Sequence, residues 1–296
     1  MRTYPWPPVP GCAEAPVWTG QGFQAGPKKM PILCYEVGAS GWTNELTELH
    51  EEAASDDHPI DRASRQHALG QIQRHSKIEH PVILEVGCSS GFMLRFLREH
   101  FPDELVIGAD YVSTPLRKIA ASDPGLPLLQ FDLASCPLPD NSLDVVVLLN
   151  VLEHIEKDTD AVRHVWRILK PGGVAIIEVP AGPQLYDIFD KQLLHCRRYA
   201  MRGLCALLTG AGFEIAARSH LGFFVYPAFW YAKKRNRRYL NQDYATQRRR
   251  VIQHIRSTRT NFLMNLAMAL EMALGRIVSY PAGVRCLVTC RKPAQP

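Results

Sequence analysis

Pro81-Val-Ile-Leu-Glu85-Val-Gly87-Cys88-Ser89-Ser90-Gly91 is the stretch that decides the fold. Its first half is a short, apolar, β-branched run and reads as a buried strand. Its second half is G-x-x-x-G, and the segment after it, Gly91 to Phe101, reads as a helix with Phe92, Leu94, Phe96 and Leu97 apolar. Glycines between a strand and a helix let the backbone turn tightly and approach a ligand with no Cβ in the way. The helix start adds N–H groups that have no partner inside the helix.

The same rhythm continues outward. Leu105–Asp110, Leu128–Asp132, Leu143–Leu149, Val174–Val179, Phe213–Ala217 and Val284–Cys290 read as strands. Helices are expected over 61–78 (Asp61 as N-cap), 115–122, 158–170 and 202–210. Strand–helix alternation at this spacing predicts a doubly wound, mostly parallel α/β sheet. Two regions stand outside it. Residues 1–31 carry Pro5, Pro7, Pro8, Pro10, Pro16 and Pro27 and read as an extended or disordered lead-in. Residues 222–280 break the alternation with an aromatic run, Gly222-Phe-Phe-Val-Tyr-Pro-Ala-Phe-Trp-Tyr231, then Lys233-Lys-Arg-Asn-Arg-Arg238, Arg248-Arg-Arg250 and a Met-rich helix from Asn261. The expected organisation is an N-terminal extension and lid (1–60), a core (61–221), a helical basic cap inserted before the last strand (222–280) and a final strand and tail (281–296).

Several residues fall at the carboxyl ends of the strands, where open α/β sheets bind their ligands. Asp110, 19 residues past Gly91, ends the second strand and is followed by Tyr111. Asp132-Leu133 ends the third, and Asn150-Val-Leu-Glu-His-Ile155 follows the fourth. With Glu85-x-Gly87-x-Ser89-x-Gly91, these elements resemble the class I S-adenosylmethionine-dependent methyltransferase family, in its small-molecule and glycan-type branch. The resemblance covers residues 80–217 and the last strand. It implies a Rossmann-like seven-stranded sheet with the last strand antiparallel, and S-adenosyl-L-methionine as methyl donor. Carried onto this sequence, it makes Glu85, Gly87, Cys88, Ser89, Gly91, Asp110, Tyr111, Asp132, Leu133, Asn150 and Val151 the cofactor-binding residues. Asp110 would meet the ribose hydroxyls, and Asp132-Leu133 the adenine. The family's middle glycine is Ser89 here.

Methyl transfer to a hydroxyl needs alignment and a proton acceptor. Two elements offer one. Glu153-His154 reads as packing beside the cofactor, with His154 as a candidate base. Asp190-Lys-Gln-Leu-Leu-His195-Cys-Arg197-Arg198-Tyr199 resembles the Asp…His-x-Arg-Arg-Tyr element of glycan- and lipid-linked methyltransferases. His195 is expected as the base, since an imidazole titrates near neutrality. Arg198 and Tyr199 are placed in the catalytic set, with Arg197-Arg198 suited to a phosphate or carboxylate; the alternative is that His195 and the arginines tie the loop to the acidic front. Tyr35, Trp42, His50, Asp57 and His58 are read as a lid, either lining the acceptor pocket or simply packing. No metal site is expected.

Charge divides the chain sharply. Residues 1–190 hold 15 Lys/Arg against 26 Asp/Glu, and residues 191–296 hold 19 against three. A uniform, mildly basic protein is therefore excluded. The split suggests a donor half and an acceptor half meeting an anionic small-molecule acceptor. Three further readings of the cap are contact with an anionic membrane surface, RNA binding, and pairing of its arginines with the acidic front. The helix Phe262–Val278 is expected as core or as a homodimer face. Eight scattered cysteines without ligand spacing read as reduced thiols, with Cys286 and Cys290 in the core, and no signal peptide or spanning segment is apparent, so a cytoplasmic location is expected. The function expected is O-methylation of a hydroxyl on a small or sugar-containing, phosphate- or lipid-linked acceptor. RNA methylation and a non-catalytic binding role on the same fold are the alternatives.

Overall fold

The computed structural model describes residues 4–35, 58–257 and 262–294. Eight strands form the main sheet: β4 (Leu33–Cys34), β5 (Val82–Val86), β6 (Leu105–Asp110), β7 (Leu128–Gln130), β8 (Leu143–Leu149), β9 (Leu169–Pro180), β10 (Glu214–Leu221) and β11 (Arg285–Arg291), in the order β10-β11-β9-β8-β5-β6-β7-β4. The seven expected strands are all present. The eighth, β4, adds two residues in parallel to the β7 edge. β11 is antiparallel to both β9 and β10, with Cys286 opposite Val179 and His220. The central strands β5 and β8 are buried on both faces, as continuous apolar runs require.

The helices that cover the sheet are α1 (Pro59–His75), α2 (Phe92–His100), α3 (Ser113–Ser122), α4 (Asp158–Ile168), α5 (Ile188–Gln192) and α6 (Met201–Gly210). Ala68 and Ile72 of α1 join Leu94 and Leu97 of α2 and Leu116 of α3 in one apolar cluster. Val162 and Val165 of α4 join Leu204 and Leu208 of α6 in another. Cys286 and Cys290 are fully buried within that second cluster. Asp61 does not cap α1. His58 occupies that position, with Pro59 in the first turn, and the Asp61 carboxylate instead pairs with Arg285 at 2.7 Å.

The N-terminal region differs from its sequence reading. Residues 17–30 form an antiparallel meander, β1 (Val17–Trp18), β2 (Phe23–Ala25) and β3 (Lys28–Met30). Tyr4, Trp6, Val9 and Phe23 are buried in the same cluster as Leu129, Phe131 and Leu138. The Trp6 ring meets Phe23 edge-on at 4.9 Å, and the Tyr4 hydroxyl bonds Ser142 Oγ at 3.0 Å. Proline density obscured a segment whose aromatics cover one face of the sheet.

Between β10 and β11 the chain inserts α7 (Tyr226–Asn236), α8 (Tyr244–Ser257) and α9 (Phe262–Leu274). Met268 of α9 packs with Ile60, Ala63, Leu221 and Leu287. Glu271 of α9 is 1% exposed and accepts from the backbone N–H groups of Gly222 and Phe224. This one carboxylate ties the end of the cap to its beginning.

Candidate active site

The strand–turn–helix opening at Glu85 has the geometry of a ligand cradle. Gly87 has φ 78°, and a Cβ there would lie 2.6 Å from Val151 Cγ2. Gly91, φ 76°, is the N-cap of α2. Ser89 takes φ 40°, a left-handed conformation costly for a residue with a Cβ. The loop is held by Ala109, whose carbonyl accepts from Gly87 and Cys88 N–H, and by Asp110 Oδ2, which accepts from Ser89 N–H at 2.9 Å. Asp110 Oδ1 accepts from Val112 N–H. Glu85 is 4% exposed, its Oε2 has no partner, and burial with the nearby Asp110 charge pushes its carboxyl well up.

Neighbouring strand ends complete this side. Tyr111 follows Asp110 and its carbonyl accepts from Gln130 Nε2. Asp132 Oδ1 accepts from Ala134 N–H and caps the short turn containing the buried Leu133. Asn150 takes φ 56°, and its N–H and Nδ2 bond the Glu178 carbonyl and carboxylate. Val151, against Gly87, opens the single turn Leu152–His154. That turn leads from the glycine loop to the second cluster.

The second cluster is built on α5. Asp187 caps α5 in a reciprocal box with Asp190. Leu194, at φ 52°, turns the chain into His195. His195 is then held at three points. Its N–H donates to the Asp190 carbonyl, its carbonyl accepts from Tyr186 hydroxyl, and its Nδ1 lies 2.8 Å from Asp190 Oδ1. Asp190 is 1% exposed; although burial raises it, its bonds to His195, Lys233 and Arg198 hold its carboxyl far below the usual range. An ionised carboxylate only accepts, so Nδ1 carries the proton and Nε2 the lone pair. Burial lowers the imidazole below 6.5, against the raising influence of Asp190. His154 meets the His195 ring edge-on at 4.7 Å, and the ligand atoms of Glu153, His154 and His195 lie within 4.8 Å of one another. Glu153 is fully buried, burial pushes its carboxyl up to about 8, and neither oxygen has a hydrogen-bond partner. One acceptor oxygen, or one cation, is of a size to bridge these groups.

Residues 84–177 match a protein family described as a methyltransferase domain. That stretch is a methyltransferase domain. A probable S-adenosylmethionine-dependent methyltransferase of Mycolicibacterium smegmatis is 33% identical over 45% of this chain and 52% of its own length. A trans-aconitate 2-methyltransferase of Acidovorax sp. is 26% identical over 40% of this chain and 47% of its own. The chain thus spans about half the length of the curated relatives it matches. Among solved structures, a putative sarcosine dimethylglycine methyltransferase from Galdieria sulphuraria aligns with TM-score 0.54 at 13% identity over 84% of this chain and 99% of that one. The [4+2]-cyclase SpnF aligns with TM-score 0.51 at 19% identity over 78% and 81%. These likenesses show the fold alone.

The segment after α5 departs from its sequence reading at the arginines. Arg198 donates to Ala181 carbonyl, Asp190 and Val284 carbonyl, and Arg197 pairs with Asp158 and donates to Glu156 carbonyl. The Arg198 guanidinium is buried in these contacts, and that of Arg197 is engaged by Asp158 and the Glu156 carbonyl. Tyr199 is 7% exposed and donates to Leu152 carbonyl and Asp158, so it fixes the loop rather than reaching a substrate. Their carboxylate partners are Asp158 and Asp190, both within the acidic block 1–190. Among the lid residues, Tyr35 donates to Pro7 carbonyl and His58 lies 3.6 Å from Asp61. Trp42, His50 and Asp57 lie outside the described residues.

Two participants gave no local signal. Lys233 of α7 is buried and donates to Asp187 Oδ1 at 2.7 Å and Asp190 Oδ2 at 2.8 Å. Within Lys233-Lys-Arg-Asn-Arg-Arg238 it looked like any other surface cation. Arg285 joins Glu178, Asp61 and Ser64. It sat unremarked at the start of the last strand.

Proposed function

We propose that the chain transfers a methyl group from S-adenosyl-L-methionine to a hydroxyl oxygen of a small acceptor, with His195 as the general base. The observation that carries this reading is the His195–Asp190 pair one short turn from the glycine loop. The imidazole is oriented by a buried carboxylate, is neutral at neutral pH, and presents Nε2 beside Glu153 and His154.

The residues suit the cofactor. The Gly87 turn has no room for a Cβ of its own, and Asp110 and Asp132 place carboxylates at the strand ends. Asp110 and Tyr111 would hold the ribose end. Asp132 and Leu133 would hold the adenine, with Glu85, Gly87, Cys88, Ser89, Gly91, Asn150 and Val151 shaping the remainder. When bound, S-adenosyl-L-methionine supplies a methyl group activated by its sulfonium. Nε2 of His195 accepts the proton of the acceptor hydroxyl as the oxygen is alkylated, and Asp190 stabilises the resulting imidazolium.

Arg198, Tyr199 and Lys233 position this pair without touching the reacting atoms. The unpartnered oxygens of Glu153 favour an acceptor that presents hydrogen-bond donors there, such as a polyol or sugar. The neighbouring Arg198 and Lys233 are paired with Asp187 and Asp190. Incubation with methyl-labelled cofactor and fractionated cell extract tests the class of acceptor. Label in a hydroxylated small-molecule or glycoconjugate fraction supports the reading, and label confined to RNA sinks it.

A further inference from the structure

The helix expected to be core or a dimer face is mostly bare. In α9 only Met268 and Glu271 are buried. Phe262 is 77% exposed, and Leu263, Leu266 and Leu270 are each at least half exposed. The row continues past the helix through Ile277, 88% exposed, and Val278. Asn265 is the one polar residue exposed within Phe262–Leu274. The aromatic start of α7 adjoins this helix. Phe223 stacks on Tyr280 at 5.2 Å, the Tyr280 hydroxyl donates to the Glu271 carbonyl, and the exposed Phe224 rests against the same Tyr280 ring.

Charge says what covers this face. Residues 222–280 carry eleven Lys/Arg and two acids. Lys233 is buried with Asp187 and Asp190, but Lys234, Arg235, Arg237, Arg238, Arg249 and Arg250 are exposed. A two-fold contact between copies would bring together two caps of the same positive net charge, which opposes association. RNA would satisfy the cations but offers no hydrocarbon to the leucines. A bilayer rich in anionic lipid satisfies both. A helix lying in the interface buries its apolar face at the acyl boundary while basic residues meet the headgroups. Spanning is excluded for α9, because its 13 residues extend roughly 20 Å, short of the ~30 Å hydrocarbon core. No helix among the described residues is long and apolar enough to cross.

We propose that the cap docks the protein peripherally on an anionic phospholipid surface through the exposed face of α9 and the adjoining aromatic start of α7. Lys233 of α7 faces Asp190, while the next residue, Lys234, stands 4.5 Å over the Trp230 ring at the surface. This inference is independent of the proposed methyl transfer.

The test is co-sedimentation of the full chain with phosphatidylcholine vesicles, with and without phosphatidylglycerol. Three proteins are compared: the wild type, the exposed-face variant Leu266→Ser/Leu270→Ser, and the charge variant Arg235→Glu/Arg238→Glu. Circular dichroism and calorimetric binding of S-adenosyl-L-methionine, run on the same samples, separate failed folding or a failed enzyme reading from failed docking. The expected result is partitioning at least about tenfold stronger onto the anionic vesicles, weakened by salt, and reduced about tenfold or more in each variant. Equal partitioning of the leucine variant and wild type overturns the proposal, as does absence of binding to anionic vesicles. A lipid-free dimer in sedimentation equilibrium that the leucine substitutions dissolve also overturns it, assigning the face to a second copy. Binding to RNA that survives the leucine substitutions while vesicle binding is absent overturns it equally.

Discussion

The glycine loop and the His195 loop both end in a buried or half-buried carboxylate that orients a neighbour, but they are built in opposite ways. At Asp110 the partners are backbone N–H groups of Ser89 and Val112, fixed by the strand–turn–helix itself. At Asp190 the partners are side chains: His195 and Arg198 from the loop that follows and, 43 residues on, Lys233. The first arrangement is made by backbone groups, and the second by side chains packed together. A loop held by backbone bonds tolerates much change elsewhere, whereas a cluster of buried ion pairs depends on every member.

That contrast breaks most readily at Lys233. Lys233→Met leaves Asp187 and Asp190 short of a cation in a buried setting, and a loss of about 3 kcal/mol in unfolding free energy is expected. Lys234→Ala, one residue on and exposed, is expected to cost under about 0.5 kcal/mol. Paired urea titrations of the two variants check the difference, and equal losses would remove the special place given to Lys233. Next in size, Asp110→Ala should weaken S-adenosyl-L-methionine binding at least about 100-fold, because charge-assisted hydrogen bonds of ~1.5–3 kcal/mol each are lost. Calorimetry reads this directly, and the fold should survive, since backbone bonds from Ala109 still hold the loop.

Acidification sharpens the other side. His195 is active when neutral, and burial places its titration below 6.5. Turnover at saturating substrates should therefore stay level as pH falls to about 6.5 and drop only beneath it, as Nε2 takes a proton from solvent. A rate that keeps rising from neutral to alkaline pH, where His195 is already neutral, would point to a different base. The smallest effect expected is at Ser89. Ser89→Gly relieves a left-handed φ of 40° but loosens the unfolded chain, so stability should move by less than about 1 kcal/mol. Cofactor affinity measured by calorimetry should change no more than about threefold, roughly the same energy.

The same contrast explains what the sequence disclosed. Strand ends and glycine spacing are local patterns, so the sheet and its antiparallel last strand were legible. The pairing of Arg198 with Asp190, and the engagement of Tyr199 with Asp158, depend on side chains meeting across loops, and adjacency in sequence suggested an anion grip instead. Lys233 was hidden inside a basic run because nothing local distinguishes a buried lysine from its exposed neighbours. The N-terminal meander was hidden for the converse reason. Its prolines signalled an open chain, while the burial of Tyr4, Trp6 and Phe23 is decided by the sheet face they cover.

The most direct measurement is the transfer of label from methyl-labelled S-adenosyl-L-methionine to cell-extract acceptors by the wild type and by His195→Asn, with cofactor affinity determined on both. The chemistry assigned to Nε2 requires wild-type transfer, a loss of about 10²–10⁴-fold in the variant, and cofactor affinities within about twofold of each other. Undiminished transfer by His195→Asn, with the cofactor still bound, would contradict it.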